Sequence, residues 1–126
     1  MSLAYTKPIV LLTDNFTLSA AETFAATLQD VRRAIVYGMP TDGGGGNVVG
    51  FSSTTGPFSE GSTRVTQSIE VRSHPVTAPG LPSAPYIENV GVQPDVAASY
   101  QTTANLLTGG QPVVNGFVTL VSGLAP

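Results

Sequence analysis

Pro8-Ile9-Val10-Leu11-Leu12-Thr13, a polar turn beginning Asp14-Asn15, Ser19-Ala20-Ala21-Glu22, and then Ala34-Ile35-Val36-Tyr37-Gly38 form the stretch that decides the fold. The first run is short, apolar and bounded by Pro and Asp-Asn, as a strand buried on both faces requires. Thr17 to Val31 predicts a helix, because Leu18, Ala21, Phe24, Ala25 and Leu28 recur at helical spacing. Glu22 falls in its first turn, and Arg32 and Arg33 follow its last, as the helix dipole prefers. Ala34 to Gly38 reads as a second buried strand. Strand, helix and strand in so short a span form a βαβ unit with a right-handed crossover. The expected fold class is therefore α/β, with a mainly parallel sheet.

The chain has 126 residues, enough for one domain with a core. Only 10% of residues are charged, and five basic against eight acidic side chains leave a net charge of −3. With no basic cluster, nucleic acid is excluded as an expected partner. No run reaches the roughly 18 apolar residues of a membrane span, and no signal peptide is visible. The chain has no cysteine, so disulfides and cysteine–zinc sites are excluded, and no cofactor is expected. Low charge with abundant Gly, Ser, Thr and Pro leans toward an exported bacterial protein, periplasmic or extracellular. Met1-Ser2-Leu3 reads as a cloning scar and is set aside.

Beyond residue 40 the order weakens. Gly43 to Gly46 predicts a loop, Asn47 to Phe51 a third strand, and Ser52 to Ser62 a run of turns. Arg64 to Arg72 puts Val65, Ile69 and Val71 on one parity with Gln67 interrupting, which predicts one half-buried strand. Thr77 to Pro85 carries three prolines and is expected to be irregular. Thr102 to Leu107 and Pro112 to Val121 suit short helices. Tyr86, Phe51 and Phe58 fit core or lid positions better than substrate contacts.

Ser19 admits two readings. Ser-x-x-Glu is a capping box, in which Ser19 accepts from the Glu22 N–H and Glu22 reaches back. The same serine also stands at the carboxyl end of a buried strand, where α/β proteins place their ligands. There a helix N-terminus offers free N–H groups beside a hydroxyl nucleophile. The turn is like a nucleophile elbow in position but lacks Gly-x-Ser-x-Gly, so an α/β-hydrolase is not indicated.

Leu12-Thr13-Asp14-Asn15-Phe16-Thr17-Leu18-Ser19-Ala20-Ala21-Glu22, Leu28-Gln29-Asp30 and Gly38-Met39-Pro40-Thr41 together resemble the S41 family of tail-specific, C-terminal-processing serine peptidases. The family's second signature stands at Ile87-Glu88-Asn89-Val90-Gly91-Val92-Gln93-Pro94-Asp95. The resemblance covers roughly residues 8 to 97 and implies a ClpP/crotonase-like catalytic subdomain. On it, residues 1–126 are expected to be the C-terminal part of a catalytic domain, a fragment of something longer. It implies Ser19 as nucleophile, the Ala20 backbone N–H as an oxyanion donor, and a peptide or protein substrate added as an extended strand. Exposed edges left by a missing half would favour a homo-oligomer.

The base is the difficulty. In the processing-peptidase branch a lysine lies twenty-five residues after the serine in a Thr-x-Gly-Lys setting. Here Thr41 is in register but the lysine position is Gly44, so a Ser–Lys dyad is excluded. Lys7, the only lysine, precedes the first strand and would sit roughly 20 Å from Ser19. The tricorn-like branch also has glycine at that position and takes a histidine from an earlier segment, supported by the glutamate that Glu88 matches. That segment would precede residue 1. His74, the one histidine, is expected to be an exposed structural residue; the alternative is a substitute base for Ser19. Gly43 and Gly44 open a loop that either admits substrate backbone or is merely flexible. Without a Walker lysine the glycines are no phosphate cradle. Glu88 alone could equally build a turn beside Asn89 and Gly91, and Asp95 after Pro94 fixes another.

Three functions follow. The chain is the nucleophile-bearing part of a serine endopeptidase whose base comes from elsewhere, and is inactive in isolation. Or it is a non-catalytic ligand- or peptide-binding module on the same fold, with Ser19 only a cap. Or it is a structural domain of this architecture, in which case Ser19 would be buried in mid-helix.

Overall fold

The computed structural model describes residues 4–52 and 61–124. Strand β1 (Val10–Thr13), helix α1 (Ala20–Asp30) and strand β2 (Ile35–Gly38) form the expected unit. β1 pairs in parallel with β2, Leu11 opposite Val36 and Thr13 opposite Gly38. A third strand, β7 (Val96–Ala97), pairs in parallel with the other side of β2. Two residues flanked by Pro94-Asp95 and Ala98-Ser99 carry too little periodicity to announce a strand, and β7 is set from the other side of the ladder. Asp95 does that work. Its N–H donates to the Val36 carbonyl and its Oδ2 accepts from the Val36 N–H, both at 2.8 Å.

The sheet is not mainly parallel across the molecule. β3 (Gly46–Ser52) and β4 (Ser62–Ile69) form an antiparallel pair, and so do β5 (Val71–Val76) and β6 (Ala84–Tyr86). The single strand expected over 64–72 is thus two, β4 and β5, parted at Glu70, whose N–H makes one more bond in the β3–β4 register, to the Gly45 carbonyl at 2.9 Å. β4 is not half-buried either, being exposed along its whole length. Its partner β3 shifts register between Asn47 and Val48, and the pair extends away from the core rather than covering it. Phe51 and Tyr86, expected in the core or a lid, are both exposed. Phe58 and the middle of the 52–62 run lie outside the described residues, as does Met1-Ser2-Leu3.

The core sits between α1 and the β1–β2 face: Ala25, Ala26 and Val36, closed by Ile87 and Val92, with Leu11 packed against them. The helix turns Glu22, Ala25 and Ala26 inward, one stripe at i, i+3 and i+4. Leu18, Ala21 and Phe24, expected on the buried face, are exposed, and Leu28 is half-buried. Two alanines let the helix close on the sheet, and that close approach leaves no room for a larger inward row. On the opposite face Tyr37 meets α3 (Gln111–Leu124). Its ring lies edge-on to Phe117 at 6.0 Å, and its hydroxyl donates to the Val113 carbonyl at 3.1 Å. A short α2 (Thr103–Leu107) precedes α3, capped by the Thr102 hydroxyl accepting from the Asn105 N–H. Among the described residues no helix is long and apolar enough to cross a membrane.

Candidate active site

Thr13 ends β1, and the chain reaches α1 through a turn that its own side chains lock. Asp14 Oδ1 accepts from the Phe16 N–H at 3.0 Å and the Thr17 hydroxyl at 3.2 Å, and the Thr17 carbonyl accepts from the Asp42 N–H at 3.1 Å. Ser19 follows at the helix mouth, exposed, with φ 58° and ψ −122°. That backbone region is foreign to residues that carry a Cβ and costs about 1–3 kcal/mol.

Ser19 and Glu22 stand as a capping box, and one half of it is well formed: the Ser19 N–H donates to Glu22 Oε2 at 2.9 Å. The other half is loose. The Ser19 side chain makes no cap hydrogen bond, and the Glu22 N–H instead reaches the Ser19 carbonyl at 2.8 Å. The hydroxyl faces the Glu22 N–H within the capping box but is only weakly engaged by it. Ser19 lines a groove of about 550 Å³ with Ala20, Thr23, Phe24, Gly44–Gly46 and Glu70. The Ala20 N–H has no acceptor among the described residues, as expected for a first-turn amide.

Glu22 is fully buried, and sequence reasoning saw in it only a cap. Its Oε2 takes the Ser19 N–H and the Gly44 N–H at 2.8 Å; its Oε1 takes the Gly43 N–H at 2.7 Å and the Thr41 hydroxyl at 2.5 Å. Thr41 Oγ1 in turn accepts from the Val92 N–H at 2.7 Å. One carboxylate thus ties the serine turn, the glycine loop and the second signature together. The signal available in sequence was the shared composition: a loop rich in N–H groups with no side chains needs an acceptor to order it.

Gly43 and Gly44 are accordingly held rather than loose. Gly43 has φ +91°, and a Cβ on Gly44 would stand 2.3 Å from Leu18 Cδ1. Gly45 would collide with Ile87 in the same way, at 2.3 Å. The glycines let three segments touch here, each approach closed by a different neighbour. Glu88 lies on the far flank of this loop. Its Oε2 would stand 3.1 Å from a Cβ on Gly46, a residue that lines the Ser19 groove, and the Asn89 N–H donates to the Gly43 carbonyl at 2.7 Å. Ser19, Ala20, Gly44 and Glu88 are therefore gathered around one loop.

His74 is placed elsewhere. It neighbours Asp30 at the last turn of α1, with Nε2 3.7 Å from Asp30 Oδ1 and Nδ1 3.0 Å from the Ser73 hydroxyl. The eleven residues of α1 separate that end from Ser19 by roughly 16 Å. Lys7 stays before β1, its carbonyl accepting from Arg33 at 3.1 Å. Among the described residues no group of three or more His, Asp or Glu is placed to hold a metal.

The Asp30 cluster makes its own prediction. Burial pushes the Asp30 carboxyl up, but the Arg72 side chain, the Ser73 N–H, the Arg72 charge and the Ser73 hydroxyl together outweigh it and hold it below 3.8. A carboxyl depressed in the folded state contributes stability above its unfolded pKa and loses it as pH falls through the folded value. Stability of this chain should therefore fall as pH drops below about 4. Asp30→Asn should flatten that part of the urea midpoint–pH curve; an unchanged slope would contradict the assignment.

Comparison with known proteins agrees with this geometry. The model of peptidase family S41 matches residues 2–98. A Chlamydia muridarum protein is 40% identical over 103 residues, and a Chlamydia trachomatis serovar D protein 35%; each alignment takes in 80% of this chain. The chain spans 15% of the length of either relative. Among solved structures, mature CPAF complexed with lactacystin superposes with a TM-score of 0.80 at 28% identity, covering 95% of this chain and 21% of that one. The photosystem II D1 C-terminal processing protease gives 0.51 at 29% identity, covering 82% and 23%. Two signatures in order, meeting at one loop, and a family match across the whole βαβ unit make this chain a member of peptidase family S41.

Proposed function

We propose that this chain carries the nucleophile of a serine endopeptidase of the tricorn-like branch, on a ClpP/crotonase-like subdomain that is part of a longer, exported protein. One observation carries the reading. Ser19 is exposed on a groove, on a strained backbone that capping does not require, beside a free Ala20 N–H. In the reaction, Ser19 Oγ attacks a peptide carbonyl, a base takes its proton, and the Ala20 N–H holds the tetrahedral oxyanion. The amine leaves with that proton, and water then releases the acyl group. Glu88 supports the base, which comes from polypeptide outside residues 1–126.

The second reading is a binding module on the same fold, favoured by the formed half of the capping box. A fluorophosphonate distinguishes them. The full-length protein should label at Ser19 and its Ser19→Ala variant should not, while the 126-residue chain alone stays unlabelled. Unlabelled full-length protein would favour the module. Ser19-dependent hydrolysis by the isolated chain would instead sink the external base.

A further inference from the structure

We infer that Glu70 makes the Ser19 groove selective for a peptide bearing a cationic side chain, Arg or Lys, next to the bond under attack; this rests on the peptidase reading above. Glu70 stands at the break between β4 and β5, its backbone pinned to the glycine loop through the Gly45 carbonyl. Its carboxylate reaches across to α1, where the Thr23 hydroxyl lies 2.6 and 2.7 Å from its two oxygens. A hydroxyl has one hydrogen, whereas a carboxylate accepts at about four positions. Among the described residues no other donor and no cation reaches Glu70.

Two other carboxylates near the core are matched, whereas half-buried Glu88 on the far flank of the loop also has no donor among the described residues. Glu22 has four donors, and Asp30 has Arg72 and Ser73. Glu70 is aimed and left short of partners. It is also the only charged side chain among the described groove-lining residues.

Its surroundings suit a long cation. Phe24 and Val48 line the same groove and are about half exposed, giving apolar walls for a methylene stem. Thr23, which orients the carboxylate, lies one helical turn from Ser19 and donates its N–H to the Ser19 carbonyl at 3.1 Å. Glu88, on the far flank of the glycine loop, adds negative potential of the same sign.

The test scans Arg, norleucine or Glu through the central positions of short acetylated alanine-based peptides. Cleavage is followed with the full-length protein and its Ser19→Ala and Glu70→Gln variants. One arm carries a free N-terminus. Expected is Ser19-dependent cleavage favouring Arg over norleucine by about tenfold in kcat/KM, shrinking with added salt and lost in Glu70→Gln. Glutamine keeps the Thr23 contact, so a merely structural Glu70 would leave the charge preference intact. Ser19-dependent cleavage without a charge preference, or one that survives Glu70→Gln or follows the free amine, overturns the inference and leaves the nucleophile standing. If no Ser19-dependent cleavage occurs, the peptidase reading fails. Glu70 is then judged by binding of the same peptides to the 126-residue Ser19→Ala chain: an Arg preference lost in Glu70→Gln supports selectivity of the groove, and equal binding overturns it.

Discussion

Ser19→Gly is expected to raise the stability of this chain by about 1 kcal/mol while lowering peptide hydrolysis by the full-length protein about 10⁴-fold or more. The two effects have separate causes. At φ 58° and ψ −122° serine is strained by about 1–3 kcal/mol, and glycine relieves that at an entropic cost of about 0.5–1 kcal/mol. Little is lost with the side chain, because the hydroxyl's half of the capping box is loose, and glycine replaces a cap serine for only a few tenths of a kcal/mol anyway. Ser19→Ala keeps the strained backbone and removes only the nucleophile, so it should lose hydrolysis without the gain in stability. Urea titrations of the 126-residue variants, beside hydrolysis assays of the full-length ones, check this. A glycine variant less stable than the parent would mean that Ser19 stabilises the helix, and the nucleophile account would lose its main support.

Glu22→Ala should have the largest effect on stability, a loss of about 3–5 kcal/mol. Alanine leaves three N–H groups and a hydroxyl turned inward with no acceptor: those of Ser19, Gly43, Gly44 and Thr41. Against a total of about 5–15 kcal/mol for a domain, much of the population would unfold. Glu22→Gln should fall between, since its amide oxygen still accepts while its NH₂ faces donors. Circular dichroism through a urea titration measures both. An alanine variant within about 1 kcal/mol of the parent would show that Ser19, Gly43 and Gly44 are ordered by something other than this carboxylate.

The βαβ unit was legible because its signals are local: an apolar run between breakers, a 3.6-residue period and a second apolar run. Both family signatures were legible as strings of residues. What periodicity missed was set by long-range pairing. β7 is a strand because Asp95 binds Val36 from both sides. The 64–72 segment divides at Glu70 because the residues before it pair with β3 and those after it pair with β6. Phe24 looked like core and is exposed, because two alanines and a glutamate take the inward row of α1. At the site, Ser19, Ala20 and Glu88 could be named from motifs. The role of Glu22 and the placement of Glu70 depend on where loops distant in sequence come to rest.

Thr41 donates to Glu22 and accepts from Val92, a relay that only a hydroxyl can make. Anyone grafting this serine onto another scaffold would have to carry positions 19, 22, 41, 43, 44 and 92 as one block. Randomised libraries should tolerate serine at 41 and little else, because valine there, though close in size, would take one of two donors from the carboxylate oxygen and leave the Val92 amide with no acceptor.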